Sequence, residues 1–250
     1  ESKCRAQTTC AGYSIEYKTQ SGYSAYAVTS HTTPDTSDTN TWSAYDCDST
    51  DTSGNFTLSS DCTLDGEVIL TGDLTIVGSS ENMTALKTIT ATTNKRHFQV
   101  NNAGHTLELW YVKLTGGDQS TSNSSPNRYG GAILIWTSGG DLNLYYSELS
   151  GNKAKFGGGI FARGESDTQV NVYNSVIKDN EATSNNAGGI YLASDIDTTT
   201  LIKDTVIKDN EAGTGGGGIY TQSDIIIENS KIESNNAQGQ GGGIYLSHNP

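Results

Sequence analysis

Proline and methionine are almost missing from this chain, three and one among 250 residues, and phenylalanine occurs only four times. A sequence so poor in those residues, yet holding 29 glycines and abundant Ser, Thr and Asn, favours many short strands and polar turns over packed helices. Basic residues are scarce as well: 15 Lys and Arg stand against 28 Asp and Glu, for a formal net charge of -13, and the cations form no cluster. Phosphate binding needs such clusters, which argues against nucleic acid as a partner. No run approaches the ~18 consecutive apolar residues of a bilayer-crossing helix, so no membrane span is expected in this segment.

Cysteine is confined to Cys4, Cys10, Cys47 and Cys62, all in the first quarter, without the spacing of a zinc ribbon or a Cys-x-x-Cys. An even number in an acidic, Ser/Thr-rich chain reads as two disulfides made in an oxidising compartment, with three pairings open. The chain opens Glu1-Ser-Lys-Cys4 rather than on Met, which fits a removed secretory signal peptide or a trimmed piece equally. Three N-glycosylation sequons, at Asn55, Asn82 and Asn123, point to the same secreted, extracellular setting, and all precede the regular part of the chain.

What is present in plenty is a repeated phrase. Leu149-Ser-Gly-Asn-Lys-Ala154 returns as Ile177-Lys-Asp-Asn-Glu-Ala182, Ile207-Lys-Asp-Asn-Glu-Ala212 and Ile232-Glu-Ser-Asn-Asn-Ala237. Each copy runs into a glycine-rich stretch ending at Ile160, Ile190, Ile219 or Ile244, with Gly130-Gly-Ala-Ile133 at the head of the series. Successive isoleucines are 27, 30, 29 and 25 residues apart, a variable period with constant anchors, as a solenoid requires. Within a period the order is a Gly-Gly-Ile strand, a second strand such as Asp141-Leu-Asn-Leu-Tyr-Tyr146 or Gln169-Val-Asn-Val-Tyr173, and a third ending in Asn-x-Ala. Three strands in 25 to 30 residues per turn predict an all-β, parallel β-helix in which each strand pairs with its equivalents above and below.

The expected organisation is an N-terminal cap stapled by disulfides over 1–62 and a parallel β-helix over 63–250, regular from about 130. The first segment shows no period, has few aliphatics and holds a Thr/Ser/Asp-rich loop from Ser30 to Asp51, which suits a cover for the open end of a solenoid. At the other end, Ser247-His-Asn-Pro250 follows the start of a new coil, so a longer chain or a docked second subunit is expected to continue it. The inward Ile, Val and Leu are read as a continuous aliphatic column, the glycines as corner residues. Asn152, Asn180, Asn210 and Asn235 are read as a ladder, since asparagine tolerates left-handed backbone and its amide can bond its counterpart one coil away.

The pairing of Asn-x-Ala turns with Gly-Gly-Ala/Gly-Ile strands resembles the repeats of chlamydial polymorphic outer membrane proteins, with Leu or Ile where their F-x-x-N motif has Phe. The stretch from His97-Phe-Gln-Val100 is also similar to large secreted, pectate-lyase-like surface proteins of algae and protists. The resemblance covers about 97–250 well and 63–96 loosely. It implies a right-handed parallel β-helix at the cell surface, used in adhesion or as a structural element.

Chemistry on such a rod needs an exception to the repeat. A lyase or hydrolase would need clustered acids with a base, and the nearest candidates, Asp179 with Glu181 and Asp209 with Glu211, recur as copies and read more simply as a solvated charge ladder. Asp179 and Asp209 are also the candidates for a calcium site. Thr88-Ile-Thr90 and Thr198-Thr-Thr200 do not recur at the repeat period, so ice binding finds no support. His31, His97, His105 and His248 share no spacing, and Trp42, Trp110 and Trp136 are isolated enough to read as packing residues rather than a sugar platform. The expectation is a non-enzymatic extracellular structural or adhesive rod, such as a subunit of a cell-surface filament or matrix, without cofactor. Its partners would be other copies of itself or other extracellular proteins met through the open end, and glycans. The alternative is a polysaccharide-binding or polysaccharide-cleaving β-helix.

Overall fold

The computed structural model describes residues 32–37, 41–102, 104–136, 139–164, 168–194, 196 and 199–247. The chain divides into two units, 1–35 and 36–250, and all that follows concerns the second. Cys4, Cys10, His31, Thr198 and His248 lie outside the described residues.

Every pairing between strands is parallel, and the described residues contain no helix. The strands form three long sheets of eight, seven and seven strands and a short ladder of four. Each turn from Ile133 onward visits all of them in the same order, and the earlier turns visit the three long sheets. From Ile133–Ile135 in the third sheet it passes to Asp141–Tyr145 in the first, Glu148–Ser150 in the second and Lys153–Ala154 in the short ladder, then returns to the third sheet at Ile160–Ala162. The protein is therefore a parallel β-helix with three main strands per turn. The two-residue ladder that stacks Ala154, Ala182, Ala212 and Ala237 adds a fourth pairing at the corner where the sequence shows only a recurring Asn-x-Ala phrase.

Register follows the repeat without slippage. Ile133, Ile160, Ile190, Ile219 and Ile244 stack in one column, and Leu149, Ile177, Ile207 and Ile232 in another. A third column runs Leu144, Val172, Ile202, Ile227. Most of these side chains are fully buried, and each such burial contributes about 1.5–3 kcal/mol. A slip of one residue would turn all of them outward, which is why the register is fixed so firmly.

The stack also reaches further towards the N-terminus than the aperiodic sequence suggests. Gly54–Leu58 pairs with Leu74–Gly78 in the first sheet, and Ser43–Ala44 pairs with the edge of that strand. Cys47 and Cys62 are joined by a disulfide that closes this first described coil. The coil lacks the repeat phrase because its corners are held by the disulfide and by Asp65, whose carboxylate accepts from the Ser49 amide at 2.8 Å, rather than by ladder residues. The Ser49 hydrogen bonds hold the exposed Asp65 carboxyl below its ordinary range.

Three corners per turn are made by single residues in left-handed backbone. One column is Tyr111, Tyr146, Asn174, Asp204 and Asn229 at φ 47–53°, a second is Gly151, Asp179, Asp209 and Ser234 at φ 53–66°, and a third is Gly130, Gly157, Ala187, Gly216 and Gly241 at φ 60–66°. The ladder asparagines themselves are not left-handed; the positive φ falls on the residue just before each of them, which frees the asparagine side chain to point inward. Ala187 is the one member of its column that carries a Cβ, and left-handed backbone costs an L-residue about 1–2 kcal/mol. Ala187→Gly is therefore expected to raise the unfolding free energy by about 1 kcal/mol, read as a higher urea midpoint at unchanged slope.

Candidate functional site: the repeating columns of the rod

Two columns of polar side chains are drawn into the β-helix at its corners. In the first, Asn152 donates from both its backbone N and its Nδ2 to Asn180 Oδ1 at 3.0 Å, Asn180 does the same to Asn210 at 3.0 Å, and Asn210 to Asn235 at 3.0 and 2.9 Å. The second Nδ2 hydrogen of each reaches back to a strand-end carbonyl of the preceding coil: Leu114, Leu149, Ile177 and Ile207 accept in turn at 2.9–3.2 Å. Asn152, Asn180 and Asn210 are almost wholly buried, so these bonds satisfy polar groups that water cannot reach.

The second column consists of hydroxyls, Ser147, Ser175, Thr205 and Ser230. Each accepts from a backbone N one coil earlier, at 3.1–3.3 Å, and donates to the carbonyl two residues before itself, at 2.7–2.9 Å. Sequence reasoning passed over this ladder. Its signal was a Ser or Thr two residues before each Leu149, Ile177, Ile207 and Ile232, hidden because Ser and Thr are common everywhere in the chain.

Outward columns are aromatic. On the third sheet Phe161, Tyr191, Tyr220 and Tyr245 stand in register with ring centroids 4.6, 4.8 and 5.4 Å apart and planes within 17–27° of parallel. On the first sheet Trp110, Tyr145 and Tyr173 stack at 4.0 and 5.2 Å, with Tyr111 and Tyr146 at 5.0 Å beside them. Burial, and secondarily the Glu108 carboxylate, push the Tyr145 phenol well above its ordinary range, so it stays protonated. The tyrosine after each Gly-Gly-Ile was visible in the repeat as Ile190-Tyr, Ile219-Tyr and Ile244-Tyr, although it reads there as one more alternating strand residue.

The three tryptophans join these stacks or pack beside them: Trp110 on Tyr145, Trp136 on Tyr129 at 5.0 Å, and Trp42 against the Trp110 cluster. Because stacked rings turn their faces to one another, what they present outward is mainly edges and hydroxyls. Two shallow grooves flank the third-sheet stripe. One, about 170 Å³, is bordered by Phe156, Phe161, Arg163, Tyr191 and Gln222; the other, about 310 Å³, by Asn186, Thr214, Tyr220, Gln240 and Tyr245. Arg163 lies over the Trp136 ring at 5.7 Å, and Tyr191 donates to Gln222 at 3.4 Å.

Charged side chains pair along the coils rather than converge. Lys153 meets Glu181 at 2.6 Å, and Glu148 sits between Lys113 at 3.1 Å and Lys178 at 3.3 Å. Partial burial would raise the Glu148 carboxyl, but hydrogen bonds from Ser150 and Lys113 and the two lysine charges outweigh it and hold the group below its usual range. Asp179 and Asp209 occupy left-handed corner positions, and Asp209 lies 3.4 Å from Lys208. No group of three or more His, Cys, Asp or Glu with metal-ligand geometry comes together among the described residues.

Asn55, Asn82 and Asn123 are all exposed. Asn82 accepts from the Thr84 amide and hydroxyl at 2.9 Å, and Asn123 accepts from Lys155.

The Chlamydia polymorphic membrane protein repeat matches residues 204–222. That span runs from the left-handed Asp204 through Thr205 of the hydroxyl ladder, Asn210 of the amide ladder and the Gly215–Gly218 corner to Tyr220 of the aromatic stripe, so the likeness lies in the residues that make one coil stack on the next. No curated protein and no solved structure matches the chain.

Proposed function

We propose that this chain is an extracellular β-helical rod with a structural or adhesive role, displayed at a cell surface and extended by docking at its coil end. The observation that carries the reading is that the polar side chains recurring at the repeat period are engaged by their counterparts in the next coil, which supports a stiff scaffold over a site that converges on one reacting atom. The match to a membrane protein repeat supports surface display, and the three exposed sequons support passage through a secretory route. Apolar side chains on the last described strands support docking. Ile244 and Leu246 are 36% and 65% exposed, Ile225, Ile227 and Ile232 are half-buried, and a second copy docked on them would cover this apolar patch.

Sedimentation velocity with electron microscopy tests the reading. The expected result is concentration-dependent, elongated assembly that Ile244→Asp with Leu246→Asp abolishes while the rod stays folded by circular dichroism. A strictly monomeric protein that cleaves an acidic polysaccharide would overturn it in favour of the enzymatic alternative.

A further inference from the structure

The amide ladder stops one coil short of the column it serves. Its carbonyl acceptors continue to Ile89, which stands in register with Leu114. The residue in the ladder position of that coil is Gly117: it follows Gly116, left-handed at φ 78° like Gly151 and Asp179, and its N donates to Asn152 Oδ1 at 3.0 Å as Asn152 does to Asn180. Gly117 has no amide to offer. Ile89 O is met instead by His97 Nε2 at 3.1 Å, and the same nitrogen lies 3.0 Å from Thr115 O.

This arrangement fixes the chemistry of the ring. A nitrogen held between two carbonyl oxygens must carry the proton, so the neutral imidazole has its hydrogen on Nε2 and its lone pair on Nδ1. His97 is fully buried and Nδ1 has no hydrogen-bond partner. A second proton would put a charge in a fully buried site where the remaining backbone acceptor beside the ring, Ala132 O, already takes the His97 and Phe98 amides at 3.0 and 3.2 Å.

Charged groups near the ring do not help the cation. Lys87 and Lys113 belong to the two strands packed on it, and Lys113 is turned to Glu148. Arg96 is adjacent in the chain and buried, with Glu67 engaged by its Nε at 3.2 Å, and Asp118, past Gly117, accepts from the Ser120 amide.

We propose that His97 is an acid-sensitive latch at the joint between the irregular coils ending at Thr115 and the regular coils that begin at Ile133. When the ring is neutral it completes the amide ladder; when it is protonated the joint opens locally, releasing the strand ends at Ile89 and Thr115 and the segment around Ala132. Burial holds the folded-state imidazole down to about 4, against an ordinary value near 6.5. The sign follows directly. Above pH 6.5 neither closed nor open joint binds the proton; between 6.5 and 4 only the open one does, so opening is favoured progressively; below 4 both bind it and the effect saturates. At pH 4.5 the open population should rise about 60-fold over pH 7. This latch does not depend on what the rod does.

Hydrogen exchange by mass spectrometry, corrected for the intrinsic pH dependence of exchange, reads it in the intact chain. Peptides covering 87–100 and 112–135 should lose about 60-fold in protection at pH 4.5 while those covering 176–212 stay protected. His97→Gln places a non-titrating amide donor near the same carbonyls and should keep that protection at both pH values. Unchanged protection in the parent at pH 4.5, or an equal loss in His97→Gln, overturns the latch and assigns acid sensitivity to the carboxylates. Should the glutamine variant fail to fold, 13C-histidine NMR of the parent decides. Coincident onset of His97 protonation and loss of protection supports the latch, and a His97 signal that titrates normally with protection intact overturns it.

Discussion

Asn180→Ala is expected to lower the unfolding free energy by about 4 kcal/mol, the largest loss of any side-chain truncation along the ladders. The side chain accepts from two donors of Asn152 and donates to Leu149 O and to Asn210 Oδ1, all in a corner where Asn180 is 1% exposed. Removing it strands the buried Asn152 backbone N–H, which donates to Asn180 Oδ1, and takes one donor from Leu149 O. An orphaned buried donor costs about 1–3 kcal/mol, and the other bonds of the Asn180 side chain, part of a chain that polarises itself, are lost with it. Asn235→Ala supplies the internal comparison. Asn235 accepts from Asn210 in the same way but lies in the half-exposed last coil, where water can replace it, so its loss should cost about 1 kcal/mol. Urea denaturation of the two variants checks the pair, and equal midpoints would remove the ladder as the source of corner stability.

The second large effect belongs to a glycine. Gly158→Ala is expected to cost at least about 4 kcal/mol or to prevent folding of the coil, because an added Cβ would lie 2.5 Å from Glu181 O and 2.6 Å from its N and C, all backbone atoms of the next coil that cannot turn aside. The constraint is not conformational, for Gly158 is not among the left-handed glycines. Coils packed at about 4.8 Å leave no room for a methyl group between one backbone and the next at this corner. The comparison here is Gly243→Ala, in a glycine column whose members meet the next coil's carbonyl in earlier coils but whose nearest neighbour here is Ile232 Cγ2 at 3.4 Å. It should change stability by less than about 1 kcal/mol, read by the same denaturation.

How far these columns could be read in advance depended on their residue type. The aliphatic column and the Gly-Gly-Ile strands announce themselves, since Ile133, Ile160, Ile190, Ile219 and Ile244 recur against a polar background, and parallel stacking at that period has few other solutions. The hydroxyl ladder did not, because Ser147, Ser175, Thr205 and Ser230 look like any other Ser or Thr. His97 was invisible for a different reason. Its partner carbonyls, Ile89 and Thr115, are 8 and 18 residues away and carry no side-chain signature, and its role exists only because Gly117 leaves a ladder position empty. The first described coil was hidden as well, for Ser43–Ala44 and Gly54–Leu58 join the first sheet through backbone bonds while their sequence follows no period.

By itself, then, the sequence determined the period, the strand order within a turn and the choice of a parallel β-helix. Those follow from local rules: alternation places apolar residues on one face, glycine and asparagine mark corners, and equal spacing makes equal units stack. Tertiary structure alone decided which polar residues are satisfied across coils, which aromatic faces are closed by their neighbours, and where the ladder ends on a histidine. Each of those depends on contacts between residues about one turn apart, set by the axial spacing of coils rather than by any neighbour along the chain.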